Sequence, residues 1–189
     1  MKLPVFDFSK FPVLETKRLT LREPVLSDAT DIYIFRSDAI VQRYNDEPMS
    51  DLSQAKEFIK EHRAEYTNQE RILWAVTMKE QDAVIGLAGF GDWNRYHNRA
   101  MIGYDLAHAY WGQGIGSEAV QRIIRFGFDR MGLNRIEAET IGDNHESVRM
   151  LEKLGFTLEG IRRGYSFEDD GEYHGSAMYG LLRSEYDAS

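Results

Sequence analysis

Cysteine is missing altogether from this 189-residue chain. Disulfide staples, thiolate metal sites and a cysteine nucleophile are excluded with it. No apolar run is long enough to span a bilayer. The opening Met1-Lys2-Leu3-Pro4-Val5-Phe6-Asp7-Phe8 lacks the apolar core of a signal peptide, so the expectation is a cytoplasmic protein with no membrane partner. Basic residues are in the minority, 23 Lys and Arg against 31 Asp and Glu, a formal net charge of −8. That balance argues against direct nucleic-acid binding, which needs a basic stripe. It is compatible with a cationic substrate and equally with ordinary acidic solubility. There is no repeat, low-complexity tract or obvious linker. The length then suggests one domain, residues 14–189, behind an N-terminal arm, residues 1–13.

What the chain does contain is a dense glycine cluster, Tyr110-Trp111-Gly112-Gln113-Gly114-Ile115-Gly116-Ser117-Glu118-Ala119. Downstream, Val120, Ile123, Ile124 and Phe128 recur at helical spacing, so the cluster is a loop feeding a helix N-terminus. Glycines let successive N–H groups turn to one centre, and the helix dipole adds positive potential there. Such a site suits a phosphate or pyrophosphate; the alternative is a turn that merely starts a helix. A P-loop is ruled down because Gly116 is followed by Ser117-Glu118 instead of Lys-Ser/Thr. A dinucleotide fingerprint is ruled down because Ser117 stands where its third glycine belongs and residues 107–111 separate the loop from the preceding strand.

The arm, with Pro4 and Pro12, is expected to be extended, its Val5, Phe6, Phe8 and Phe11 covering an open face or a neighbouring subunit. Alternation over 17–23 predicts a strand. Ser27 is the expected cap of a helix through Ala29, Ile32, Tyr33 and Phe35. A second helix runs from Gln54 to about Thr67, started by Asp51 or Ser53, with His62 on its apolar stripe as a packed residue or a ligand. Strands are expected over 72–78 and 83–90 as a hairpin, over 100–106 and over 135–141, with a loop at 91–99. Asp143 or Asn144 caps a helix over 146–153 that Gly155 ends. Two late strands occupy 156–167 and 173–182. The class is mixed α/β.

The strand Ile102-Gly103-Tyr104-Asp105-Leu106 with its glycine loop, and the later Asn144-His145-Glu146-Ser147-Val148-Arg149-Met150-Leu151-Glu152-Lys153-Leu154-Gly155-Phe156, together resemble the GNAT superfamily of N-acetyltransferases. The nearest likeness is to the branch that acetylates ribosomal-protein N-termini, which shares an opening like Leu14-Glu15-Thr16-Lys17-Arg18-Leu19-Thr20-Leu21-Arg22. Its tail is like Asp170-Gly171-Glu172-Tyr173-His174 and Tyr179-Gly180-Leu181-Leu182. The resemblance covers nearly the whole chain. It implies a mostly antiparallel central sheet, splayed after its fourth main strand to admit acetyl-CoA, with helices on both faces. It implies that Gln113, Gly114, Ile115, Gly116 and Ser117 hold the pyrophosphate, that the pantetheine pairs along Leu106 and Ala107, and that Asn144 bonds it. The N–H near Leu106 would polarise the thioester carbonyl. No metal is implied.

The chain departs from the family pattern where many members carry a proton-donating tyrosine, seven residues after the asparagine; here that position is Leu151. Ser147 is left to hydrogen-bond the departing thiolate, or is a first-turn serine satisfied by backbone. Acidic residues found in relatives just before Ile102 and after the final Tyr-His pair are Met101 and Gly175 here. Candidate bases are Glu23, Asp105, Glu168 and His174, each more readily a surface or structural charge, and spacing alone does not choose between them. Trp93, Tyr96, Tyr165 and Phe167 either wall an acceptor groove or pack. Three readings follow: acetylation of a protein N-terminus, acetylation of a small amine, or a catalytically silent acyl-CoA-binding module. A homodimer through the arm and late strands is compatible with all three.

Overall fold

The computed structural model describes residues 6–141, 143–167 and 171–186. Eight strands form one sheet in the order β1-β2-β3-β4-β5-β6-β8-β7. They are β1 (Leu14–Glu15), β2 (Leu19–Arg22), β3 (Ile72–Met78), β4 (Val84–Asn94), β5 (Arg99–Leu106), β6 (Arg135–Ile141), β7 (Thr157–Phe167) and β8 (Tyr173–Leu182). Neighbouring strands are antiparallel except β5 and β6, which are parallel. The helices are α1 (Ala29–Arg36), α2 (Ala39–Gln42), α3 (Leu52–Thr67), α4 (Ile115–Asp129), α5 (His145–Lys153) and α6 (Arg183–Tyr186).

Strand alternation sends side chains to two cores. Ile72, Trp74 and Val76 of β3 join Val120, Ile123, Ile124 and Phe128 of α4 on one face. Ala75 of β3, with Val84 and Leu87 of β4, joins Ile32 and Phe35 of α1 and Ala55 and Ile59 of α3 on the other. Helices therefore cover both faces, as expected.

The parallel pair is the feature that positions the site. β5 and β6 pair only at Arg99↔Arg135, Ala100↔Ile136 and Met101↔Glu137. Ile102–Leu106 stay bonded to β4 and Ala138–Ile141 to β8, so the two strands diverge and the sheet opens. The closed end is clamped by Glu137, which accepts from Arg99 Nη1 at 2.7 Å and Arg135 Nε at 2.8 Å.

Two local expectations, the Ser27 cap and the loop at 91–99, are corrected, and those for the arm and His62 resolve to one of their alternatives. Ser27 is not the cap of α1: it lies inside a 3-10 turn, Leu26–Asp28, and Asp28 precedes the helix. Asp28 is buried and takes the Arg22 guanidinium through both oxygens, at 2.8 and 2.9 Å, plus the Val25 N–H at 2.7 Å. The charge pair fixes the turn where a serine cap was expected. β4 runs on to Asn94, through an irregularity after Gly91, where the sequence suggested a loop. The arm covers this chain's own core: Phe6 meets Phe126 and Phe11 meets Tyr66, with ring centroids 5.4 and 4.7 Å apart, and Pro12 O accepts from Trp74 Nε1 at 2.8 Å. His62 is a packed residue, its Nδ1–H donating to Phe58 O at 2.8 Å, and burial lowers its pKa.

Candidate active site

The opening between β5 and β6 is a cavity of about 680 Å³ walled by Ile102–Leu106, by Ala138–Thr140 and by the starts of α4 and α5. Of the sequence-derived site residues, Leu106, Gly114, Ile115, Gly116, Ser117, Asn144 and Ser147 all lie on this wall. Ala107 and Gln113 do not. The Ala107 N–H donates to Ile85 O at 2.8 Å, back toward β4, and Gln113 is turned outward, its carbonyl accepting from Arg18 Nη1 at 3.0 Å. Because Ala107 bonds β4, strand alternation turns the backbone groups of Leu106 to the open edge. The Leu106 carbonyl is taken there by Trp111 Nε1 at 2.6 Å, which leaves its N–H facing the cavity.

The glycine loop has the form its composition suggests. Gly112 and Gly114 sit at φ +70° and +71°, in the left-handed region. The helix begins at Ile115, and its first intrahelical bond runs from Glu118 N–H to Gly114 O at 3.1 Å. The N–H groups of Ile115, Gly116 and Ser117 therefore have no partner within the helix, and no side chain caps it. Three donors and a dipole end aimed into one cavity fit the diphosphate of an acyl-CoA. At α5, Asn144 Oδ1 accepts from Ser147 N–H at 3.2 Å as the helix cap, leaving its amide nitrogen to the cavity.

Ser147 is buried, and its Oγ lies 2.7 Å from the hydroxyl of Tyr104 on β5. Burial pushes the Tyr104 phenol up to about 12, and the hydrogen bond it shares with Ser147 opposes that rise. Leu151 is fully buried and offers no donor. Sequence reasoning did not single out Tyr104, because the pairing spans 43 residues and depends on how the sheet opens.

The candidate bases separate. Glu23 is tied to Arg63 Nε at 2.9 Å. His174 Nδ1 lies 3.5 Å from Asp143 on the surface. Glu168 lies outside the described residues. Asp105 is buried beside Arg36, 3.4 Å away; burial raises its pKa and the Arg36 charge opposes that rise. A carboxylate missed by sequence reasoning, Glu139 on β6, reaches the cavity from the other strand. It accepts from Ser176 Oγ at 2.6 Å and pairs with Arg162 at 3.4 Å. Its only sequence signal is the alternation of β6, which puts it opposite the buried Ala138 and Thr140. A second cavity of about 460 Å³ adjoins the first. It shares Tyr44, Asn45, Glu139 and Thr140 with it and is further lined by Asp46, Glu47, Tyr165 and Phe167. Trp93 is not part of either wall: it packs against Phe8 at 5.5 Å. Tyr96 is almost fully exposed.

Comparison with known proteins agrees with this geometry. Residues 18–157 match the acetyltransferase (GNAT) domain family. The chain is 39% identical over 174 residues to the uncharacterized N-acetyltransferase p20 of Bacillus licheniformis, covering 92% of this chain and 97% of the relative. Its fold is similar to RimL, a ribosomal L7/L12 alpha-N-protein acetyltransferase solved with coenzyme A. That likeness has TM-score 0.83 and 21% identity, covering 90% of this chain and 98% of that one. It is also similar to the microcin C7 self-immunity acetyltransferase MccE, solved with acetyl-CoA and AMP, with TM-score 0.79 and 21% identity over 88% of this chain and 93% of that one. The chain belongs to the GNAT acetyltransferase family. It is an N-acetyltransferase that uses acetyl-CoA and transfers the acetyl group to an amine.

Proposed function

We propose that the acceptor is the N-terminal α-amino group of a polypeptide, presented from the second cavity to the opening between β5 and β6. The observation that carries this reading is the continuity of the two cavities through Tyr44, Asn45, Glu139 and Thr140. The wall carries Asp46, Glu47 and Glu139 beside Arg43, with Asp46 paired to Arg36 and Glu139 to Arg162, and the exposed Tyr165 and Phe167 edge it toward solvent. Such a wall offers carboxylate oxygens to an amine and leaves room for a chain to trail away across apolar surface.

Acetyl-CoA supplies an activated acetyl thioester. The N–H groups of Ile115, Gly116 and Ser117 hold its diphosphate, and the Asn144 amide orients the pantetheine. The Leu106 N–H polarises the acetyl carbonyl, and the Ser147 hydroxyl faces the sulfur. Glu139 accepts the proton that the amine must lose. An α-amino group has a reference pKa of about 8, so a useful fraction is neutral near pH 7, and a weak base or a water chain suffices. Positioning does the rest: oriented reactants gain on the order of 7 kcal/mol or more at best. The fold likeness to RimL, a ribosomal L7/L12 alpha-N-protein acetyltransferase, supports this reading.

The test is CoA-thiol release from acetyl-CoA with two acceptor sets. One is a set of decapeptides with free N-terminal serine, alanine or methionine; the other is a panel of polyamines, aminoglycosides and amino acids. Turnover with the peptides is the expected result. Turnover confined to small amines would overturn the acceptor while leaving the family and the acetyl donor in place.

A further inference from the structure

We infer that Tyr104 is a positioning residue that turns the single hydroxyl hydrogen of Ser147 toward the sulfur of bound CoA. This rests on the placement of CoA proposed above and deepens it. Tyr104 comes from β5 and Ser147 from the first turn of α5, whose helix follows β6, so the contact bridges the two walls of the opening. At 2.7 Å the two oxygens share one hydrogen bond.

Acidity decides its direction. A phenol, even one held near 12 by burial, is more acidic than an aliphatic alcohol. The phenol therefore donates and the serine oxygen accepts. Ser147 then has its own hydrogen to place. Its hydroxyl makes no hydrogen bond to the backbone carbonyl of Asp143 or Asn144, one turn back. Among the described residues, the Tyr104 bond is the one hydrogen bond of Ser147 Oγ. The hydrogen is left to the cavity, on the wall that Ser147 shares with Asn144 and Met150. Serine is also the one hydroxyl residue of α5, and Leu151, a turn further on, is sealed in the core.

The arrangement moves no proton between oxygens. As the C–N bond forms and the C–S bond breaks, the electron pair goes to sulfur. Ser147 keeps its hydrogen and stabilises the thiolate by donating to it, and sulfur takes its proton from water. Tyr104 contributes through Ser147 and does not touch the sulfur.

The test needs no acceptor. CoA is bound to the intact protein and its thiol is titrated by thiolate absorbance in wild type, Ser147→Ala, Tyr104→Phe and the double variant. One hydrogen bond to a charged group corresponds to about one pH unit or somewhat more. Ser147→Ala should raise the pKa of bound thiol by about that amount, and Tyr104→Phe by about half of it. The double variant should match Ser147→Ala, because Tyr104 acts through Ser147. Ser147→Thr, which keeps the hydroxyl, should restore the wild-type titration, and it gives a second reading if Tyr104→Phe folds poorly. A Tyr104→Phe titration identical to wild type, or additive shifts in the double variant, would overturn the inference. So would an unshifted Ser147→Ala. Absence of turnover with every acceptor, alongside the expected thiol shifts, would sink the acceptor reading and leave this one standing.

Discussion

Glu118 offers the sharpest test of how the glycine loop is held. It sits in the first turn of α4, and its carboxylate accepts from Thr16 Oγ1 at 2.6 Å, from Arg18 N–H at 2.9 Å and from Arg18 Nε at 2.7 Å. These bonds tie the β1–β2 turn to the helix that opens the cavity, and Arg18 continues to the Gln113 carbonyl. In Glu118→Ala the three donors lose their partner at once. Bonds to a charged group contribute about 1.5–3 kcal/mol each, but not additively. The Arg18 side chain is 38% exposed, so its share is screened to about 1 kcal/mol or less. The expected loss is about 2–3 kcal/mol, or a fall in Tm of about 5–10 °C.

The pH dependence has a defined sign. Burial works against the ionised carboxylate, but the Thr16 hydroxyl, the Arg18 amide and the Arg18 guanidinium outweigh it and hold its pKa below the ordinary value. A depressed carboxylate stabilises the fold above its unfolded value of about 4.3, and the contribution disappears as pH falls through the folded value. Urea unfolding followed by far-UV circular dichroism should show a constant gap between wild type and Glu118→Ala at neutral pH that closes on acidification. A neutral-pH gap below about 0.5 kcal/mol, or one that acid leaves unchanged, would refute the reasoning.

Three further substitutions probe the site. Arg36→Ala should cost about 3–5 kcal/mol in urea unfolding, because it strips the buried Asp105 of its counter-charge. Gly114→Ala forces a side chain into φ +71°. It should cost about 1–2 kcal/mol and weaken CoA binding in calorimetry about tenfold, whereas an unchanged Kd would remove the loop from the diphosphate site. Glu139→Gln should lower kcat about 10²- to 10⁴-fold with CoA affinity intact; a variant as fast as wild type would hand the base role to water or another group.

Much of this molecule is legible locally. Asp51 caps α3 through the Ser53 and Gln54 amides, and Asn144 caps α5, because each cap is written within three residues. The glycines at 112 and 114 announce their left-handed backbone in the same way. What is not legible depends on where strands diverge. Tyr104 meets Ser147 and Glu139 faces the cavity only because β5 and β6 part after three paired residues, and Arg36 meets Asp105 through the packing of α1 on the sheet. The arm was legible only in part, for a related reason. Its phenylalanines announce burial, but nothing in their spacing says that Tyr66, Trp74 and Phe126 form the receiving surface.

The packing of that arm also sorts the chromophores. Of the three tryptophans, Trp74 and Trp93 lie beneath the arm, locked among Phe8, Phe11 and Phe126. Trp111 alone stands on the cavity wall, its indole bonded to the Leu106 carbonyl. The protein thus carries its own optical probe. Two indoles form a steady background that reports whether the arm is seated, and the third is placed to sense whatever enters between β5 and β6, without a label being attached.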